Sequence, residues 1–303
     1  MRDTFLNAAF RLVAALAFSS LIAFAQNAKP AGQNAAPADN GRIPSVKDDP
    51  GGPAPAKDIA GTWLGPGEPQ LSNRVPQMTQ AGLAKLKLNI PDPFSASSND
   101  PWKTCDPFGM PRVSNNEVRE IGFAQMPDRT IILENFGKVW REVWTDGRPL
   151  PKNVGHPGGL GPLWYGYSVG HWEANNTFVV DTVGMDDKTW MDRRGYPHTV
   201  DAHLTEHYAR PDHNHLNFDE YMDDPAFYTS SFIIAKANYK WITGQDDVKA
   251  KIPFSDEQSF EQICIPSEVI EYNKLLAEQA DEDAITGNGS GGAKDAKPND
   301  KKK

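Results

Sequence analysis

Residues 165–183 read Tyr165-Gly166-Tyr167-Ser168-Val169-Gly170-His171-Trp172-Glu173-Ala174-Asn175-Asn176-Thr177-Phe178-Val179-Val180-Asp181-Thr182-Val183. The first part matches Gly-x-Ser-x-Gly, and Asp181 and His198 follow Ser168 in the chain order of an α/β-hydrolase triad. That chemistry needs Ser168 on a strained strand-to-helix elbow, with His198 as base and Asp181 orienting it. No helix follows. Ala174-Asn175-Asn176 is a turn string, and the next seven residues are rich in β-branched side chains and begin a second strand. The stretch is a hairpin, Ser168 is a strand hydroxyl, and the two glycines allow close sheet packing or a bulge.

The same pattern extends in both directions. Strands are expected at 118–125, 130–135, 138–144, 165–172, 177–183, 203–209, 215–222, 231–239 and 258–265. Most are joined by short turns such as 126–129, Phe136-Gly137 and 210–214, which favour antiparallel neighbours because a parallel crossover needs a dozen or more residues. The fold class is therefore mainly β: an antiparallel meander forming a barrel or strongly curled sheet, with long loops. Trp140, Glu142 and Trp144 share one face of their strand while Val139, Arg141 and Val143 share the other, a mixture that suits a barrel with a partly polar interior. A possible short helix at 79–88 lies in the loop-rich first third. A short C-terminal helix is expected over 266–277, with Ser267 as its cap and Glu268 in its first turn.

At the N-terminus, Arg2 and Arg11 flank the start of an apolar run from Leu12 to Ile22 that ends in Ala23-Phe24-Ala25, the pattern of a cleaved secretory signal peptide over residues 1–25. The run is too short to span a membrane, and no other stretch is apolar enough, so no stable span is expected after signal removal. Residues 26–57 form an Ala/Pro/Gly-rich spacer, 58–277 a single β-rich domain, and 278–303 a charged, Gly-rich tail, the two extensions being expected to be disordered. Export places the chain in the periplasm or outside the cell. It also makes Cys105 and Cys264 a plausible disulfide pair, since two cysteines cannot build a four-thiolate metal site. A formal charge of −9 from 31 basic and 40 acidic residues argues against a nucleic-acid partner.

Gly61-Thr62-Trp63 resembles the Gly-x-Trp of the first strand in lipocalin-like barrels, where the Trp plugs one end. A wider resemblance rests on Cys105-Asp106-Pro107-Phe108-Gly109-Met110-Pro111-Arg112, Asp146-Gly147-Arg148, residues 166–173, Thr205-Glu206-His207 and Asp224-Pro225-Ala226-Phe227-Tyr228. Over roughly residues 60–265 the chain is similar to an uncharacterised family of exported bacterial β-rich proteins. It departs from that pattern at His171 and His207, where Arg is common, and at Ala174-Asn175, where Gly-Asp is common. The resemblance implies an exported domain and carries no activity to transfer.

Three constellations bear on chemistry. Six of the seven histidines lie between His171 and His215, but His203 and His207 sit about 13 Å apart on a strand, too far for one ion, and no metal site or cofactor is assigned. Glu142, Glu173, Asp181, Glu206 and Glu220 all fall in or beside strands. Paired carboxylates there would suit acid–base attack on a glycoside or ester, with Glu173, Glu206 and His198 as the catalytic set. Trp140, Arg148, Trp172, Trp190 and Arg193 would line a mouth built by the long connections 145–163 and 184–201. The leading expectation is a binding protein for a small molecule or saccharide. A hydrolase using paired carboxylates and a noncatalytic cell-envelope interaction protein are the alternatives.

Overall fold

A computed structural model describes residues 46–92, 95–116, 118–242 and 264–286. The expected signal peptide, the first part of the spacer, most of the strand at 258–265 and the end of the tail lie outside the described residues.

Among the described residues ten strands form one sheet: β1 (Gly61–Gly67), β2 (Gln70–Leu71), β3 (Val118–Gln125), β4 (Arg129–Glu134), β5 (Val139–Trp144), β6 (Tyr167–Trp172), β7 (Thr177–Val183), β8 (His203–Ala209), β9 (His215–Asp223) and β10 (Phe232–Trp241). The order is β1-β3-β4-β5-β6-β7-β8-β9-β10, and β10 pairs back onto β1 through Trp63↔Trp241 and Leu64↔Lys240, closing a nine-strand barrel. The two-residue β2 lies beside β10 further along. Closure satisfies the edges that an open meander would leave exposed.

One pairing departs from the antiparallel expectation. β5 and β6 are parallel, with Val143 opposite Ser168 and Trp144 opposite Val169. The connection 145–166 is long enough to return the chain to the other end of the barrel before β6 begins. β1 itself escaped the list of expected strands because Gly61, Gly65, Pro66 and Gly67 give it little intrinsic β preference. Its pairing with Phe123 to Val118 of β3 supplies what local propensity does not.

Alternation sets the inside. β4 turns Thr130, Ile132 and Glu134 inward, β5 Arg141 and Val143, β8 Leu204, Glu206 and Tyr208, and β9 Leu216, Phe218, Glu220 and Met222. Outward, β8 presents His203, Thr205 and His207, and β9 presents Asn217, Asp219 and Tyr221. A lipid-facing barrel reverses this arrangement. Among the described residues no helix is long and apolar enough to cross a membrane.

Two apolar clusters fill the ends. At the first, Trp63 is fully buried, donates its indole N–H to the Ile59 carbonyl at 3.0 Å, and meets Trp241 edge-on at 4.9 Å. The Arg210 guanidinium lies over both rings, at 4.8 and 5.1 Å, and donates to the carbonyls of Asp58 and His213. Trp63 thus plugs this end. Residues 46–57, from the spacer, pack along it: Val46 bridges Ile242, Pro53 bridges Asp212, and the Asp49 carbonyl accepts from Asn214.

The opposite end is capped by three loop segments. A short helix, α1 (Gln80–Leu86), is N-capped by Thr79, and a one-turn helix, α2 (Arg112–Asn115), enters the barrel mouth with all four residues buried. Met110 N–H donates to Trp164 O, Leu163 N–H to Gly184 O, and Asn115 Nδ2 to Met191 O, so the segments around 110, 163 and 190 are stitched together. Gly109 permits the crossing: it has φ of +66°, and a Cβ there would lie 2.4 Å from Thr189 Cγ2 and 2.8 Å from Trp164 O. A buried bidentate pair, Arg112 to Asp100 at 2.7 Å on both oxygens, fixes α2 from outside.

The last helix, α3 (Pro266–Thr286), continues past residue 277 into the region expected as tail. Cys105 and Cys264 are bonded, joining positions 159 apart in sequence and tying α3 to the turn beneath α2. Closing a loop of that length removes about 5 kcal/mol of unfolded-chain entropy.

The Trp63 plug sets the first prediction. Trp63→Ala is expected to cost about 3–5 kcal/mol by leaving a cavity under Arg210, whereas Trp140→Ala, on a side chain 67% exposed, changes stability by less than about 0.5 kcal/mol. Denaturant midpoints of the two variants measure both.

Candidate functional site in the barrel interior

Between the two apolar ends lies a polar layer. Each of its members is inward for a simple reason: it occupies the same alternation phase as large apolar residues. Glu206 stands between Leu204 and Tyr208, and Glu220 between Phe218 and Met222. The two carboxyls are direct cross-strand partners. Glu134 ends the inward row of β4, and Arg141 is inward on β5. From the barrel mouth, α2 adds Ser114 and Asn115.

The layer holds one guanidinium against three carboxyls. Arg141 gives both terminal nitrogens to Glu206, at 2.9 and 2.6 Å, and Tyr208 OH donates to the same carboxylate at 2.8 Å. Both side chains are essentially inaccessible to water. A desolvated pair of this geometry holds only while both partners are present; deleting one strands the other at a cost of about 3–5 kcal/mol.

That leaves two carboxyls with neutral partners. Ser114 Oγ reaches Glu134 at 3.4 Å, and Asn115 Nδ2 donates to Glu220 Oε2 at 2.9 Å. Burial pushes Glu134 up to about 8, with Arg141 opposing the rise and Glu206 adding to it. Burial likewise holds Glu220 well above the carboxylate range, reinforced by Glu206. With both protonated and the Arg141–Glu206 pair neutral overall, the interior carries no net charge. Within this layer three buried atoms have no hydrogen-bond partner among the described residues: Glu220 Oε1, Asn115 Oδ1 and Arg141 Nε. Such atoms are uncommon in folded proteins, and here they fall on three members of one layer.

The residues singled out from sequence are placed apart. Glu206 lies in this layer, but Glu173 is exposed beyond β6 and faces His171 at 3.6 Å, so the two carboxylates do not share a recess. His198 is buried in the cap, bonded to Thr189 Oγ1 at 2.7 Å and to Thr199 O at 3.0 Å, and burial lowers its proton affinity. Ser168 bonds Thr182 inside the barrel while Asp181 bonds His203 and Thr205 outside it, so no triad forms.

The expected aromatic mouth is dispersed as well. Trp140 stands on the outer face, and Arg193 is on the surface with Glu68. Arg148 lies 3.6 Å over Trp144, paired with Asp146 and Tyr167 OH. Trp172 packs on Phe178 at the Trp63 end, and Trp190 is buried in the cap beside Arg112. The connections 145–163 and 184–201 do meet, through Leu163↔Met185 and His156–Asp201, but as a cap.

Sequence reasoning missed Glu134, Ser114 and Asn115 as site residues and placed Arg141 only on one face of its strand. For Glu206 and Glu220 the signal was present, since each interrupts a row of large apolar residues spaced by two. No such signal exists for Glu134, because Ile131 and Leu133 make the other face of β4 equally apolar. Asn115 and Ser114 reach the interior through a loop, which strand periodicity does not describe.

No family model, curated protein or solved structure matches this chain. The molecule is a closed β-barrel with buried polar residues, an arrangement suited in general to holding a ligand or solute.

The sign of the Glu134 contribution is testable. Below about 4.5 both folded and unfolded chains carry the proton; between about 4.5 and 8 only the unfolded chain ionises, so stability falls with rising pH and levels off above 8. Glu134→Gln is always neutral. Its stability relative to the parent should therefore rise by roughly 2–4 kcal/mol from pH 4.5 to pH 8, measured by urea denaturation at both values.

Proposed function

We propose that the chain is an exported binding protein that encloses a small polar molecule at the centre of its barrel. The observation that carries this reading is the coincidence of Glu220 Oε1, Asn115 Oδ1 and Arg141 Nε, a carboxyl oxygen, an amide acceptor and a guanidinium donor, left without partners in one buried layer. A polar ligand supplying matching groups recovers the desolvation cost, about 1–3 kcal/mol for each neutral group. Small inward side chains, Ser168 and Thr182 on one side and Ala235 on the other, share the barrel interior with this layer.

Access runs through the α2 end. The Trp63 end is closed by interlocked rings under Arg210, whereas the other is closed by loop segments held by a few hydrogen bonds and the Asp100–Arg112 pair. Loops of this kind open more readily than strand ladders. The resemblance to exported bacterial β-rich proteins fits the same location outside the cytoplasm.

The test is a thermal-shift screen of sugars, polyols, amino acids, amines and small carboxylates, followed by direct titration of the hits. A true ligand at about 100 times its Kd adds about 2.7 kcal/mol, several degrees in Tm. Asn115→Ala should weaken its binding, and Asp100→Asn should accelerate its exchange by loosening α2. Hits that bind Asn115→Ala unchanged, or a screen with no hits, would overturn the assignment.

A further inference from the structure

The donor and charge count of the layer says more about the occupant. Glu206 is committed: Arg141 and Tyr208 supply it with three donors. The unpartnered oxygens therefore belong to Glu220 and Asn115: Asn115 Oδ1 is an acceptor, and Glu220 Oε1, which carries the proton while the carboxyl is neutral, becomes a second acceptor once that proton leaves. Glu134 lies in the same layer with only a long contact from Ser114. Around these two carboxyls stand Arg141 on β5, Glu206 and Tyr208 on β8, Tyr239 on β10, Tyr165 before β6, and Ser114 and Asn115 on α2. Arg141 is the one cation among them, and its terminal nitrogens are already spent on Glu206.

Resting on the binding reading above, we propose that the occupant is a small primary amine bearing a hydroxyl or carbonyl oxygen. Its ammonium N–H groups serve Glu220 Oε1 and Asn115 Oδ1, and its oxygen accepts from Arg141 Nε. An ammonium offers three donors and no acceptor and brings the positive charge that lets Glu220 give up its proton, so it meets Asn115 Oδ1 and a Glu220 carboxylate; a neutral alcohol leaves Glu220 protonated. A metal ion fits less well, because among the described residues no three acidic, histidine or cysteine side chains converge at ligating distance.

Charge balance fixes the consequence. The interior is neutral only with protons on Glu134 and Glu220, so a cation arriving there displaces one of them. The carboxylic O–H breaks, the carboxylate remains opposite the ammonium, and the proton leaves to the buffer. Binding of an amine is thus an exchange of one cation for one proton.

The experiment is isothermal titration of the full chain with ethanolamine, ethylamine and ethylene glycol, each in two buffers of different ionisation enthalpy. Ethanolamine should bind most tightly, ethylamine more weakly for want of the oxygen, and ethylene glycol least. About one proton should be released per ethanolamine, and its affinity should rise about tenfold per pH unit between about 5.5 and 7.5. Glu220→Gln should weaken ethanolamine at least about tenfold while leaving ethylene glycol unaffected; the proton count on the parent protein needs no variant to fold.

Ethylene glycol binding as well as ethanolamine, with no proton released, would overturn the amine assignment and leave the binding reading intact. Binding of none of the three, with no hit in the wider screen, would overturn the binding reading itself.

Discussion

A closed barrel removes its interior from water, and everything polar inside must then be neutral or paired. That constraint organises this protein. One guanidinium and three carboxyls are sequestered together, and only the bidentate contact between Arg141 and Glu206 is a complete ion pair. It can persist because Tyr208 shares the carboxylate and both partners project from strands whose positions are fixed by closure. The remaining carboxyls, Glu134 and Glu220, adjust by retaining protons. The buried interior therefore keeps acid capacity in reserve, unlike a hydrocarbon core of equal size.

The two ends of the barrel are built differently, and the difference follows from the chain. At one end Trp63, Trp241 and Arg210 interlock, with the 46–57 segment laid across them and the β1–β10 pairing adjacent. At the other, strand turns give way to long connections, and the closing element is a single helical turn. α2 is held by side-chain contacts: the buried Asp100–Arg112 pair, aromatic faces of Phe108 and Trp190 against the guanidinium, and the covalent tie from Cys105 to α3. Few backbone ladder bonds hold it. The end that supplies Ser114 and Asn115 to the polar layer is thus also the end with the least secondary structure to break.

Most strands were legible from sequence because alternation and turn strings are local signals. β3, β7 and β8 lie where the pattern places them, and the others differ at their ends by one or two residues. The failures share one cause. β1 is made a strand by partners distant in sequence, and the parallel β5–β6 step depends on where a long connection delivers the chain. The 46–57 segment packs against Asn214 and Asp212, a contact that composition alone does not show.

The site divides along the same line. Sequence by itself determined that Glu206 and Glu220 interrupt apolar rows, that the chain favours a curled antiparallel meander, and that its two cysteines suited pairing. Tertiary structure alone decided that Glu173, Trp140 and Arg193 stay outside while Glu134, Arg141 and Asn115 meet within. Periodicity tells which residues share a face of one strand. Only closure of the sheet decides which face becomes the interior, and only the path of the loops decides what enters it from the ends.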